Sequence, residues 1–551
     1  MSLSEQKLRG GYYTPKEVAE VLVKWSIKNK STYKILEPSC GDGVFLKSLN
    51  DLFKKSAKRF SITGIELNKA EFLKSKRLLS EGCFSSSSRV INRDFFKWFF
   101  DSDSDNSFDC VLGNPPFIRY QLFPEPSRGL AMKLLAENGF KANRLTNMWV
   151  PFIVGAISKL KYGGSLAMVV PAELLQVTYA NQIRVFLANT FETIDIIGLN
   201  NLVFSNAEQE VVLLLAQNKK KKDQTLASID LRDFESIEDL QRSTTSLTRP
   251  NIYHKHIEHE SEKWLKYFLA VKEIELMRIL KSSKRVTEFS TYGSIDVGIV
   301  TGNNSFFILT PNKAKDLKIL EYCSPIVGRT KALKGSIFSK SDFDSLDPDS
   351  TPSLLLDLLN CKLKHSPHLK GYLSQGQTLN VHKGYKCSIR KSWYEVPSVW
   401  KPDFFLFRQI YDFPRIVKNL TPASTTDTIH RGSFRSNIDQ NLILSNCFNY
   451  MFAASAEIEG RSYGGGVLEL EPTEAEKLLV PSTLSRCAVP LAEIDCLIRK
   501  GRLGDILEKN SELILREDFG LSKSDLILLK GIWNKLRQRR SSRKSTQGTL
   551  I

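Results

Sequence analysis

The sequence predicts an α/β protein: a Rossmann-like, doubly wound domain at the amino end, followed by a mixed, strand-rich second domain. Three observations predict it. Short apolar runs recur through the first third, with helix-like segments between them, as in a parallel sheet built from crossover units. The first run empties into a Gly-rich turn, Pro38-Ser39-Cys40-Gly41-Asp42-Gly43. From about residue 286 the pattern changes to short strands and turns, as in Ile295 to Phe307.

The elements follow in order. Val18 to Ile27 reads as an amphipathic helix, and Ile35-Leu36 as a strand ending at Glu37, with a second helix starting near Val44. Gly41 and Gly43 permit close backbone approach, and the helix start adds N–H donors. The loop has neither GxGxxG nor GxxxxGK[ST], and Glu37 stands where a phosphate loop would avoid a carboxylate. It would instead attract a cationic group, such as an amino acid ammonium or a sulfonium. The second run, Phe60 to Ile65, ends in Glu66, placed to accept from ribose hydroxyls. The third, Val90 to Arg93, leads to Asp94-Phe95, suited to accept from an adenine amine and to lie against its ring. The fourth, Phe108 to Leu112, stops at Gly113 and delivers Asn114-Pro115-Pro116-Phe117 into a loop. Taken singly, each of these carboxylates reads as a solvated loop residue; together they form an ordered set.

Asn114-Pro115-Pro116-Phe117 suits chemistry on the exocyclic amine of a flat nitrogenous ring. The lone pair of such an amine is delocalised and nucleophilically weak. The Asn114 side-chain oxygen and the Pro115 carbonyl can each accept one amine N–H, which localises the lone pair toward an electrophile. Prolines bring no competing N–H and hold the carbonyl direction. Phe117 offers a face for base stacking, worth roughly 1–3 kcal/mol. Asn-Pro is also an ordinary turn initiator, so the tetrapeptide alone leaves a plain strand-ending turn open.

The set Gly11-Tyr12-Tyr13-Thr14-Pro15, LEPSCGDG, GIEL, DF and NPPFIRYQ, in that order, resembles the gamma-class DNA adenine-N6 methyltransferases, notably the TaqI-type enzymes of type II restriction–modification systems. The resemblance covers residues 9–216 closely. It implies a Rossmann-like S-adenosylmethionine-dependent methyltransferase domain and a target-recognition domain after it. By resemblance, Thr14 and Glu37 contact the methionine end of the cofactor, and Ser39, Gly41 and Gly43 form its loop. Glu66 holds the ribose, while Asp94 and Phe95 hold the adenine ring. Asn114 and Pro115, with Pro116 and Phe117, form the catalytic loop. Phe204, before the apolar run Val211 to Ala216, would close the other face of a flipped base. Asn at the first position of the loop favours adenine over N4-cytosine by resemblance. Cytosine-C5 chemistry would need a cysteine nucleophile on that loop, and neither Cys40 nor Cys110 is so placed.

Composition agrees with binding of a polyanion: 78 basic against 60 acidic residues give a formal net charge of +18. With 551 residues and 42% hydrophobic content there is material for two or three cores. The nine cysteines are scattered without paired CxxC spacing, so no metal site is expected and a reducing compartment is favoured. Without an apolar leader or a run long enough to span a bilayer, the expected location is the cytoplasm of a prokaryote, with no membrane partner.

Four regions are expected: a catalytic domain over 1–220, a connecting helical region over 221–285 with a helix from Glu260 to Leu280, a DNA target-recognition domain over 286–485, and a helical segment with a basic tail over 486–551. Lys535 to Lys544 is expected to be a disordered basic tail. The second domain interleaves cations and aromatics. Arg329 and Arg431 are the candidates there for DNA contact, since arginine can pair bidentately with guanine. The expected function is methylation of a flipped adenine in double-stranded DNA by a monomer, protecting DNA from a cognate restriction endonuclease. Three alternatives are an RNA or protein-amide methyltransferase with the same loop, a bifunctional restriction–modification protein, and a non-enzymatic DNA-binding partner. A nuclease would need a further domain, and the pattern already starts by residue 11.

Overall fold

The computed structural model describes residues 13–27, 32–54, 59–101, 107–141, 146–199, 210–221, 226–243, 255, 257–258, 262–359, 366–463 and 465–542. The chain divides into two compact units. The first comprises Met1–Val271, Tyr463–Gly466 and Arg539–Ile551; the second comprises Lys272–Ser462 and Val467–Gln538.

The first unit is built on an eight-stranded sheet: β1 (Thr32–Glu37), β2 (Arg59–Glu66), β3 (Arg89–Asn92), β4 (Phe108–Gly113), β5 (Leu160–Pro171), β6 (Phe191–Leu199), β7 (Val211–Lys219) and β8 (Ser228–Phe234). Their spatial order is β3-β2-β1-β4-β5-β7-β6-β8. The pairs from β3 through β5 are parallel, and β7 runs antiparallel between β5 and β6. The strand order reverses at β1 and β4, and an open α/β sheet binds ligands outside the carboxyl ends of its strands at such a switch point. The register there is fixed by Ile35 opposite Cys110 and Leu36 opposite Val111. The expected amphipathic helix forms as Lys16–Ser26, burying Val18, Leu22 and Trp25 against Phe45, Leu49, Ile35 and Cys110. The helix Trp149–Ser158 is buried on nearly all sides rather than on one stripe.

The second unit holds a five-stranded sheet in the order Gly293–Asp296, Ile429–Phe434, Phe404–Phe407, Ile416–Asn419, Ile337–Phe338, and a four-stranded one in the order Ile308–Leu309, Leu354–Leu356, Cys323–Val327, Ser424–Thr425. The helices Leu491–Arg499 and Leu503–Asn510 follow.

Three expectations change. The first unit does not end at residue 220, because β8 pairs in parallel with β6 and extends the same sheet. The helix expected over Glu260 to Leu280 is instead a 3-10 turn, Trp264–Phe268, followed by the helix Val271–Ser282. Trp264 through Leu269 are all buried, and six consecutive buried residues cannot share one helical stripe. The basic stretch from Lys535 is not a disordered tail through Ser541, since the last helix spans Lys523–Ser541. Leu526, Leu529, Trp533 and Leu536 bury its apolar face. From Arg539 on, the residues group with the first unit. There Arg539 lies 3.7 Å over the Phe268 ring and donates to Asp233 at 2.8 and 3.2 Å.

Candidate active site

Four adjacent strands end at one edge of the first unit, and each delivers a polar group there. β1 ends in Glu37, β2 in Glu66, β3 leads to Asp94, and β4 hands the chain to Asn114. Glu37 lies opposite Gly64, and Glu66 opposite Asn92, so the ends are nearly level.

Glu37 is fully buried, and among the described residues neither carboxylate oxygen has a hydrogen-bond partner. Burial raises its pKa well above the ordinary carboxylate range, and the charges of Asp42 and Glu66 add to the effect. A buried carboxylate with four open lone-pair sites calls for a cationic donor. Glu66 is tied down differently: it accepts from the Gly41 N–H at 2.8 Å and the Asn68 N–H at 2.7 Å. Its pKa is raised by burial against the opposing pull of these bonds, and burial likewise raises Asp42.

The loop between β1 and the helix Val44–Phe53 is fastened on both sides. The Gly41 carbonyl accepts from the Ser75 hydroxyl at 3.0 Å, while the Cys40 N–H donates to Ile65 O at 3.0 Å. Gly43 has φ +83°, and a Cβ there would lie 2.7 Å from Leu78 Cδ1, so glycine is required. Gly64 is needed for another reason: a Cβ on it would meet Cys40 Sγ at 2.4 Å. Cys40 is thus a packed core thiol, its pKa pushed up by burial.

The Ser39 hydroxyl donates to the Asn114 main-chain carbonyl at 3.0 Å, joining this loop to the one after β4. Asn114-Pro115-Pro116-Phe117 is pinned at its far end as well. The Met148 N–H donates to Ile118 O at 2.9 Å, and Arg119 bridges to Asn147. Pro115 is buried; Asn114, Pro116 and Phe117 are half-buried, and Phe117 rests against the core of the unit.

Of the remaining predicted residues, Thr14 is buried beside Tyr13, whose hydroxyl donates to Glu71 at 3.1 Å. Asp94 caps the helix Phe95–Phe100 by accepting from the Lys97 N–H. Phe95 is 2% exposed and stacks on Phe152 at 5.1 Å, so its ring is chiefly core. Phe204 lies outside the described residues. Arg329 is exposed in the second unit. Arg431 is corrected: it is 2% exposed, donates to Ser398 O at 2.6 Å and Ser398 Oγ at 2.8 Å, and lies over Trp400. It braces a sheet and cannot reach a base.

Sequence reading missed Asn68 and Ser75, which hold Glu66 and Gly41. Asn68 was findable, since Asn68-Lys69-Ala70-Glu71 is a helix-capping pattern and Asn68 caps that helix. Ser75 carries no such signal, because its contact is made across folded elements. Among the described residues no cluster of His, Cys, Asp or Glu could hold a metal, and no helix is long and apolar enough to cross a membrane.

A relative named Type II methyltransferase M.AccI, from Acinetobacter calcoaceticus, is 23% identical over 547 residues, covering 95% of this chain and 96% of that protein. Type II methyltransferase M.HindII, from Haemophilus influenzae, is 26% identical over 359 residues, covering 62% of each. Residues 261–515 match the family model for the C-terminal domain of Type II methyltransferase M.Eco57I. Residues 2–289 match that of the N-6 DNA methylases and contain the whole constellation of Glu37, Glu66, Asp94 and Asn114, so the chain belongs to the N-6 DNA methylase family.

Proposed function

We propose that this protein is a gamma-class modification enzyme that methylates N6 of adenine at one site in double-stranded DNA. It works as a monomer in the bacterial cytoplasm and protects that site from a cognate restriction endonuclease. The reading is carried by one observation: the buried, unpartnered Glu37 carboxylate beside a glycine loop that Ser39 bonds to Asn114. The relatives named as type II methyltransferases support the restriction–modification setting.

S-adenosylmethionine is the cofactor, and it supplies an electrophilic methyl group on a cationic sulfur. Glu37, open and buried, fits the cationic methionine end. Glu66, whose oxygens face the Gly41 and Asn68 amides, retains lone pairs for ribose hydroxyls. Asn114 and the Pro115 carbonyl accept the two N–H groups of the target amine, which directs its lone pair at the methyl carbon. Phe117 stacks on the base once it has left the duplex. Flipping costs a few kcal/mol, which stacking worth roughly 1–3 kcal/mol and two hydrogen bonds offset. The match of residues 261–515 to a type II methyltransferase domain weighs against a compact protein-amide enzyme.

The test supplies labelled S-adenosylmethionine to the full chain with duplex DNA, structured RNA or protein, and sequences the methylated product. Label at adenine N6 of one duplex sequence is expected. Asn114→Ala should lower turnover by about 100- to 1,000-fold while cofactor binding persists. Label confined to RNA or protein, label at cytosine, or near-normal turnover by Asn114→Ala would reject the reading.

A further inference from the structure

In the second unit a groove of about 1350 Å³ opens beside the segment 328–334. That segment is clamped at both ends. The Gly328 carbonyl accepts from the Thr426 and Thr428 hydroxyls, each at 3.0 Å. The Lys334 and Leu333 carbonyls accept from the Arg415 guanidinium at 3.2 and 3.1 Å. That guanidinium lies 4.5 Å from the Phe407 ring centroid. Between the clamps, Thr330–Ala332 forms one 3-10 turn and Leu333 is buried. The backbone is therefore preorganised. Its cations, Arg329, Lys331 and Lys334, are exposed, and among the described residues their side chains make no hydrogen bond or ion pair.

The carboxylates of the groove are engaged. Asp342 pairs with Arg499 at 2.7 Å, Asp412 pairs with Arg537, and Asp347 accepts from Ser350 and from the Asp349 N–H. The unengaged charge facing the groove is positive. Gln409, on the strand Gln409–Ile410, adds an exposed amide whose side chain has no partner among the described residues. The loop exposes no large apolar side chain that would anchor a protein partner.

We infer that the clamped loop 328–334 reads the DNA sequence: Arg329 and Gln409 meet base edges, and Lys331 and Lys334 hold phosphates. The inference rests on the reading that the chain methylates duplex DNA. Arg329 follows directly on the clamped Gly328, so its fork-shaped guanidinium starts from a fixed point, as bidentate pairing with guanine requires. A guanidinium and an amide can pair bidentately with guanine and adenine respectively, whereas an ammonium acts as a point charge. Ordering a loop on binding weakens affinity, and the clamps remove that cost.

The test uses the full chain and two duplexes, one carrying the site identified by sequencing methylated DNA and one lacking it. Binding is followed by fluorescence anisotropy across a salt series. Arg329→Ala should weaken binding to the site duplex by roughly 10- to 100-fold and leave the other nearly unchanged. Lys331→Ala with Lys334→Ala should weaken both duplexes alike and lower the salt slope by about 2. S-adenosylhomocysteine binding and the unfolding midpoint should match the wild type in every variant. Unchanged discrimination in Arg329→Ala, an equal loss on both duplexes, or an unchanged salt slope in the double variant would overturn the inference. A wild-type chain that methylates no duplex would instead defeat the proposed function.

Discussion

Ser39 and Asn114 stand 75 positions apart in the chain, and the Ser39 hydroxyl donates to the Asn114 main-chain carbonyl at 3.0 Å. Their loops leave adjacent parallel strands whose register is locked by Leu36 opposite Val111. The bond therefore sets the cofactor loop against the loop that holds the amine. Ser39→Ala should lower kcat by about 3- to 10-fold, the range expected from one hydrogen bond. KM for the cofactor should change little, and Ser39→Thr should restore turnover. A KM effect without a kcat effect would make Ser39 a binding residue instead.

Glu37 predicts a pH dependence. Its carboxyl has an ordinary value of 4.5 and is raised well above it by burial, with Asp42 and Glu66 raised too. Above pH 4.5 the unfolded chain releases protons that the folded chain still holds, so the cofactor-free protein loses stability as pH rises. Glu37→Gln should remove Glu37's share of that loss, giving a higher Tm than wild type at pH 8 and a shrinking difference toward pH 5. The same variant should bind S-adenosylmethionine on the order of 10- to 100-fold more weakly, because a charge-assisted partner is gone. Calorimetry in buffers of different ionisation enthalpy should show wild type releasing a proton on binding and Glu37→Gln releasing less. Equal release by both would reject Glu37 as the group concerned.

Gly43 is tested by one methyl group. At φ +83° an alanine is strained by about 1–2 kcal/mol, and its Cβ would press on Leu78 2.7 Å away. Gly43→Ala should lower stability by at least that amount in urea unfolding and weaken cofactor binding. Gly139, at φ +80° with no atom within 4 Å, is the control: Gly139→Ala should cost stability and leave cofactor binding alone.

Arg539 and Arg537 sit two positions apart and should differ sharply. The Arg539 side chain is 6% exposed and bonded to Asp233, whereas Arg537 pairs with an Asp412 side chain that is 57% exposed. Arg539→Ala removes a buried guanidinium and its charge-assisted bonds to the part-exposed Asp233 carboxylate, and should cost about 1.5–3 kcal/mol. Arg537→Ala should cost under about 1 kcal/mol. Similar losses would mean that the end of the last helix frays in solution.

Much of the site was legible before the fold was known. Each of Glu37, Glu66, Asp94 and Asn114 follows an apolar run, and a parallel strand delivers whatever ends it to the same edge of the sheet. Local patterning was therefore enough to place those four residues and the glycine loop at one edge of the sheet. Phe95 starts the helix after β3, as its place in the sequence suggests, while its stacking on Phe152 is a contact that residue type alone does not reveal. Arg431 was misjudged because charge is visible in a sequence and burial is not.

Local patterning settled the α/β class, the order of the polar strand ends and the residues of the loop after β4, since periodicity and residue type are local properties. Tertiary structure alone decided the bond from Ser39 to Asn114, the fastening of Glu66 by the Gly41 amide, the place of β8 in the first sheet and the capture of Arg539 by Asp233. Each of these depends on which distant segments come together, and burial and contact across such distances are set only when the whole chain packs.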